Sequence, residues 1–448
     1  MRKMKDSGIE WIGEIPEDWE IRSFKIHFQL EKGLSITKEN LIETGYPVIS
    51  YGQIHSKKNF GTKVNDSLIK FVSNEYLKTS QHCLANKNDF IFADTSEDTD
   101  GIGNFIFIDR ARPIFAGYHT IIARPTNIYF PKYYAYLFYA DCWRNQLRSY
   151  AAGIKVFSIT KKLLYHTSII NPPEAQQVAI ANFLDEKCAL IDRLVERHQE
   201  VIEKLKAYRQ SVISEAVTRG LAPNAPMKDS GIPWIGKIPE GWKTIKLKYL
   251  IKYIESGVSV NAGHNAAKEN EYGVLKTSCV SKFNFDINEN KSVDFSEMGR
   301  TRCPVLKNTI IVSRMNTPEL VGACGYVEKN YPNIFLPDRL WQVHFKNNTN
   351  IKYIWYYLIC KNIRNYYASL STGTSSSMQN ISQEQFEQVI IVLPDTTTQN
   401  KITSYLDSKC QFIDSTITKK QSLIAKLAEY KKSIIYEYVT GKKEVPAS

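Results

Sequence analysis

Residues Gln176 to Thr218 read QQVAIANFLDEKCALIDRLVERHQEVIEKLKAYRQSVISEAVT, a run with neither Pro nor Gly to break a helix. In heptads, Leu184, Ile191, His198, Leu205 and Val212 share one seam position, and Cys188, Val195, Ile202, Arg209 and Ala216 the other, which is coiled-coil spacing. The frame returns near the C-terminus as Leu406, Ile413, Lys420, Leu427 and Ile434 with Cys410, Ile417, Ile424, Lys431 and Tyr438. The polar interruptions recur as well, His198 matching Lys420 and Arg209 matching Lys431. Polar seam residues set register and partner choice, so a shared pattern of breaks points to two helices that pair with each other.

The helices are the ends of two larger repeats. MKDSGIEWIGEIPEDW (4–19) and MKDSGIPWIGKIPEGW (227–242) match at 13 of 16 positions. Each arm leads into a mixed region with matching landmarks, including strand-like runs from Tyr46 and Tyr272, from Asn88 and Asn308, and from Thr167 and Val389. Aromatic, helix-like stretches run from Tyr133 to Tyr150 and from Tyr353 to Leu370. The fold class expected is an α/β (α+β) tandem repeat. Its parts are a first globular domain (1–173), a long helix (174–219), a linker plus second domain (220–396), a second long helix (397–441) and a tail (442–448). Each domain feeds the start of its own helix, and the first helix ends just before the second domain begins. The helices are therefore expected to run antiparallel with a domain at each end, giving pseudo-twofold symmetry. About 43 helical residues span roughly 65 Å.

The chain has 58 Lys and Arg against 46 Asp and Glu, a net charge of +12, which suggests a polyanionic partner. No apolar run reaches membrane-spanning length, and the start MRKMKDSGIEW has no apolar signal-like region, so a cytoplasmic location is expected. The eight cysteines are scattered singly without zinc spacing and read as buried thiols.

Three motifs resemble catalytic ones and fail on detail. Gly231 to Lys237 fits G-x-x-x-x-G-K, but Ile238 stands where a Ser or Thr should bind magnesium, and Pro233 removes a backbone donor. Asn171-Pro-Pro-Glu174 is similar to the N-P-P-aromatic motif of adenine methyltransferases, yet Glu174 replaces the stacking aromatic and no glycine-rich cofactor loop follows a strand. Pro394-Asp395 with Glu429-x-Lys431 mimics a nuclease pattern, but the second pair lies on the coiled-coil helix.

The twin arms carry a family resemblance. So do the helix starts PPEAQQVAIANFLD (172–185) and PDTTTQNKITSYLD (394–407), and the helix ends KLKAYRQS (204–211) and KLAEYKKS (426–433). Together they make the chain similar to the specificity (S) subunit of Type I restriction-modification systems. The resemblance implies two target recognition domains, each reading one half of a split, non-palindromic sequence in double-stranded DNA, held apart by an antiparallel coiled coil. It also implies a non-catalytic subunit without a cofactor of its own. Such a subunit docks two methyltransferase (M) subunits and, through them, two restriction (R) subunits, with S-adenosylmethionine, ATP and magnesium belonging to those partners. The alternatives are a single-chain restriction or methyltransferase enzyme with fused recognition domains, and a coiled-coil tether without a DNA role. On the S-subunit reading, DNA contacts belong on the divergent loops: Tyr51, Gln53, Lys57, Lys58, Thr95, Ser96, Lys155 and Ser158 in domain 1, and Lys276, Thr277, Ser313, Arg314, Asn316, Ser375, Ser376 and Ser377 in domain 2.

Overall fold

The computed structural model describes residues 2–151, 156–233, 235–375 and 378–446, the side chains of 374 and 375 excepted. It divides into two compact units, Met1–His198 with Ser422–Ser448, and Gln199–Gln421.

In the first unit a four-stranded antiparallel sheet has the order Phe105–Phe107, Phe90–Ala93, Thr120–Pro125, Phe28–Lys32. Its central strand, FIFA, is wholly buried, and strand alternation sends its side chains to two cores. Phe90 and Phe92 join an aromatic cluster beneath helices α1 (Pro131–Tyr139) and α2 (Asp141–Arg148), while Ile91 and Ala93 face a smaller core. That smaller core lies against a second sheet in which Tyr46–Ile49 pairs in parallel with Ile114–Ala116. Ring pairs such as Phe138–Trp143, with centroids 4.4 Å apart, fix the aromatic side, and each buried ring contributes about 1.5–3 kcal/mol.

The aromatic stretch 133–150 is two helices instead of one. Ala140 is extended (ψ 137°) between them, and the second helix restarts at an angle that carries Cys142, Trp143 and Leu147 into the same core. The strand Ser168–Asn171 pairs with Glu20–Ser23, tying the end of the domain to its beginning. Helix α3 (Glu174–Arg219) starts directly after Pro172 and Pro173, and Gly220, with φ 77°, ends it in the left-handed conformation that glycine favours.

The second unit repeats the plan. Its main sheet has the order Ile251–Ser256, Leu340–Phe345, Thr309–Ser313, Cys324–Val327, with Ile310 and Val312 in the larger core and Ile311 in the smaller. Above it lie α4 (Ile351–Leu358) and α5 (Lys361–Leu370). Ile390–Leu393 pairs with Lys243–Lys246, and α6 (Thr396–Val439) follows. The Asp395 carboxylate caps α6, accepting from the Thr398 amide at 3.0 Å.

Each unit holds the start of one long helix and the end of the other, and within each the two run antiparallel. In the first unit Asp192 pairs with Lys431 at 2.7 Å, while nine residues earlier Phe183 packs at a tilt against Tyr438, seven residues later. In the second, Arg209 pairs with Asp414 at 3.2 Å, and Val212 to Val217 share a core with Ile402, Leu406 and Cys410, earlier along α6. The matching seam breaks Arg209 and Lys431 thus each meet an aspartate of the other helix. Leu184, Ile191, Val212, Leu406, Ile413 and Ile434 are buried, and His198, Leu205, Lys420 and Leu427 are half-buried.

Each domain is bolted to its own helix by a tyrosine and a lysine. Tyr136 Oη donates to Asp185 Oδ1 at 2.5 Å, with Lys132 at 3.3 Å from the same carboxylate. Tyr356 and Lys352 do the same to Asp407 at 2.8 and 2.9 Å. A second tyrosine reaches the end of the other helix, Tyr133 donating to the Val439 carbonyl at 2.8 Å and Tyr353 to that of Val217 at 3.1 Å.

The catalytic look-alikes have structural roles. Gly231 and Gly236, both with positive φ, lie in the turn joining Met227–Asp229 to Lys237–Pro239, and Gly8 and Gly13 do the same in the first arm. The Pro172 and Pro394 carbonyls accept from Gln177 and Gln399, buried in the first turns of α3 and α6.

Candidate nucleic-acid interface

In the first domain, three separate segments meet around one cleft of about 650 Å³. Ser50 and Gln53 form a capping box that nucleates the helical turn Tyr51–Ile54, the Gln53 Oε1 accepting from the Ser50 amide at 3.0 Å. The loop after strand 90–93 pairs Thr95–Ser96 with Phe157–Ser158. The turn at 117–119 brings His119 and Tyr118 edge-on to Tyr51, each centroid 5.5 Å away. Tyr51, Gln53 and Thr95 are half-buried, and Lys57, Lys58 and Ser158 are exposed. Ser96 is 3% exposed, and its hydroxyl is committed to the Asp98 carbonyl at 2.7 Å, so it props the loop from inside. Lys155 lies outside the described residues.

The second domain has a cleft of about 420 Å³ whose lining includes Lys276, Thr277, Lys291, Asp338 and Arg339. Lys276 lies 3.4 Å from Glu289, whose carboxyl is held below its usual range by the Ser278 hydroxyl and by Lys276, outweighing desolvation. Met315–Asn316 pairs with strand Met378–Asn380, which in turn pairs with Thr372–Ser375. Ser313 is fully buried and accepts from Asn316 Nδ2 at 3.3 Å, again a prop for the loop. Ser376 and Ser377 lie outside the described residues.

One position is held identically in the two domains and differs in charge. The Asp94 amide donates to the His119 carbonyl at 3.1 Å, and its own carbonyl accepts from Ile159 at 2.7 Å. Arg314 makes the same pair of backbone bonds, to Arg339 and from Ile381, both at 3.1 Å. Domain 1 therefore offers an Asp94–His119 pair, 3.2 Å apart, where domain 2 offers two arginines. The buried Arg314 Nε has no hydrogen-bond partner among the described residues.

Asp94, His55, His119, Lys291 and Arg339 are additions to the residues the sequence suggested. Loop composition alone does not reveal them, because His119 and Arg339 reach Asp94 and Arg314 from distant points in the chain through backbone hydrogen bonds. Among the described residues, no group of three His, Cys, Asp or Glu side chains could hold a metal ion, and no helix is long and apolar enough to cross a membrane.

The model of the Type I restriction modification DNA specificity domain matches this chain twice, at residues 16–205 and 239–427. The EcoKI specificity subunit of Escherichia coli (strain K12) is 23% identical over 442 residues, covering 96% of this chain and 90% of that protein. The StySPI specificity subunit of Salmonella potsdam is 21% identical, again over 96% and 90%. A solved chain from work on complex assembly and conformational transition of the type I R-M system shares the fold, with a TM-score of 0.66 at 17% identity over 96% of this chain and 99% of that one. With two copies of the family domain spanning most of its length, the chain belongs to the Type I restriction modification DNA specificity family, as a non-catalytic specificity subunit.

Proposed function

We propose that this subunit reads a split, non-palindromic site in duplex DNA, with residues 1–173 and 220–396 as the two recognition domains and the helices 174–219 and 397–441 setting the unread spacer. The observation that carries this reading is the pair of clefts, built on one backbone frame and lined with different chemistry. Arg314 and Arg339 suit the acceptor-rich edge of guanine or a phosphate, while the carboxylate of Asp94 suits an exocyclic amino group. Tyr51, Gln53, Lys57, Lys58, Thr95, Lys155 and Ser158 contact one half-site, and Lys276, Thr277, Arg314, Asn316 and Ser375 to Ser377 the other. Ser96 and Ser313 support the loops from behind.

The chain scaffolds two methyltransferase and two restriction subunits, and S-adenosylmethionine, ATP and magnesium act in those partners. Methylation sequencing in a host carrying this chain with its methyltransferase subunit tests the proposal. Two unlike half-sequences separated by a constant unread spacer are expected, and a continuous or palindromic site would overturn it.

A further inference from the structure

Helices α2 and α5 each carry one arginine turned inward beneath the loop that borders the cleft. Arg144 donates from Nε to the Ile102 carbonyl at 3.0 Å, and from Nη2 to the Asp100 carbonyl and to Asn104 Oδ1 at 2.7 Å. Arg364, only 8% exposed, donates from Nη1 to the Val321 carbonyl at 2.7 Å and from Nη2 to the Glu319 carbonyl, and its guanidinium lies 4.7 Å from the Phe283 ring centroid. The two clamps grip corresponding points. Ile102 and Val321 immediately precede Gly103 and Gly322, whose positive φ values of 79° and 72° turn the chain back into the sheet.

These glycines are also pressed against the helices, since a Cβ on Gly322 would lie 2.8 Å from Tyr367 and one on Gly103 3.1 Å from Leu147. The loops themselves have little in common. Asp94 to Gly103 reads DTSEDTDGIG and Arg314 to Gly322 reads RMNTPELVG, shorter by one residue. A guanidinium that binds main-chain carbonyls is indifferent to this, because every residue offers the same acceptor and the planar fork fixes two of them at once. In domain 1 the grip extends to the cleft. Asn104 bonds His55 at 3.0 Å, and His55 bonds the Thr95 carbonyl at 2.7 Å.

We propose that Arg144 and Arg364 are the positioning residues of the two reading loops, fixing each loop through its backbone so that its side chains are free to differ. The proposal rests on the reading of DNA by these loops. It is tested with Arg364→Lys and Arg144→Lys in the full chain assembled with its methyltransferase subunit, by sequencing the DNA retained from a pool of random duplexes. Lysine keeps the charge and loses the fork. For Arg364→Lys, base discrimination should fall about tenfold within one half-site. The other half-site and the affinity for non-specific duplex should stay within about twofold of wild type, because phosphate contacts carry the latter. Arg144→Lys should relax the opposite half.

Both motifs unchanged, or both degraded together, would overturn the proposal, since a merely structural residue has no reason to act on one half-site. If Arg364→Lys does not accumulate as folded protein, Arg144→Lys decides, because Arg148 still holds the Thr99 carbonyl at 3.1 Å in that loop. If the wild-type complex retains no motif, the DNA reading has failed. Hydrogen exchange then judges the clamp by itself: at least a tenfold rise at the amides of 317–323, relative to α5, supports it, and unchanged exchange rejects it.

Discussion

Tyr356→Phe tests whether a recognition domain is fixed to its helix by the hydroxyl and carboxylate at their junction. Tyr356 is 2% exposed, and burial, followed by the bond to Asp407, drives its hydroxyl pKa far above the ordinary value, so the group is a permanent donor. Phenylalanine preserves the packing and deletes one hydrogen bond to a charged acceptor, an interaction of about 1.5–3 kcal/mol. Asp407 retains Lys352 at 2.9 Å, which places the loss near the lower end, about 1.5–2 kcal/mol. For a unit of this size each kcal/mol moves the midpoint by roughly 2–4 °C, so scanning calorimetry of the full chain should show Tm lowered by about 3–8 °C. Tyr136→Phe is the matching change in the other domain, and the two losses should add because the residues share no partner. A Tyr356→Phe protein that melts within about 1 °C of wild type would show that the hydroxyl contributes nothing and that apolar packing alone makes the joint.

Arg314→Ala should cost on the order of 1–3 kcal/mol of binding and relax one base position while leaving the salt slope of the complex unchanged; uniform weakening across all sequences would make Arg314 a phosphate contact. Inserting about four helical residues at the end of α3, before the Arg219–Pro226 joint, adds roughly 6 Å of helix, and the methylated site should keep both half-sequences and gain about two base pairs of spacer. An unchanged spacer with altered half-sequences would remove the helices as the ruler. Glu255 is desolvated, but hydrogen bonds from Gln342 at 2.9 Å and His344 at 2.6 Å outweigh this and hold its carboxyl below the ordinary 4.5. A depressed carboxyl contributes stability above pH 4.5 that is lost as pH falls through the folded value, so the Tm gap between wild type and Glu255→Gln should be full at pH 6 and narrow progressively as pH falls below 4.5, and a gap independent of pH would refute it. Gly441→Ala forces a left-handed alanine (φ 71°) and sets its Cβ 2.5 Å from Pro16, for a loss of about 3 kcal/mol or more, whereas Gly8→Ala, with open space around it, should cost only about 1 kcal/mol; equal chemical-denaturation midpoints would be the contrary result.

The elements that repeat could be read from the sequence because periodicity and duplication are local signals. The heptads of α3 and α6, the twin arms and the strands around Phe90–Ala93 and Thr309–Ser313 all carry their pattern within a few residues. What depends on distant partners could not be read. Arg209 and Lys431 stood out as breaks in the seam, but their aspartates lie on the other helix and become partners only through antiparallel pairing. Ser96 and Ser313 sit among polar loop residues, and nothing local says that their hydroxyls turn inward. The parallel pairing of Tyr46–Ile49 with Ile114–Ala116 joins segments far apart in the chain. Both copies carry an Arg-Asn pair, at 144–145 and 364–365, which was not singled out from the sequence, and only the helix break at Ala140 aims Arg144 at the loop.

The core of the first unit is completed by Ile434, Ile435, Tyr438 and Val439, which cover Ile180, Leu184 and their neighbours, and Lys442 and Glu444 then bind Ile12 and Arg2 of the arm. The domain that leaves the ribosome first therefore finishes last. At roughly 5–20 residues per second, the 250 residues after His198 keep its apolar seam waiting on the order of ten to fifty seconds. The second unit, drawn from one continuous segment, has all its parts before the chain ends. During synthesis the first domain is thus the one exposed to aggregation and proteolysis, and a ribosome that stops between Gln421 and Ile434 releases a product whose second half can fold and whose first half cannot close.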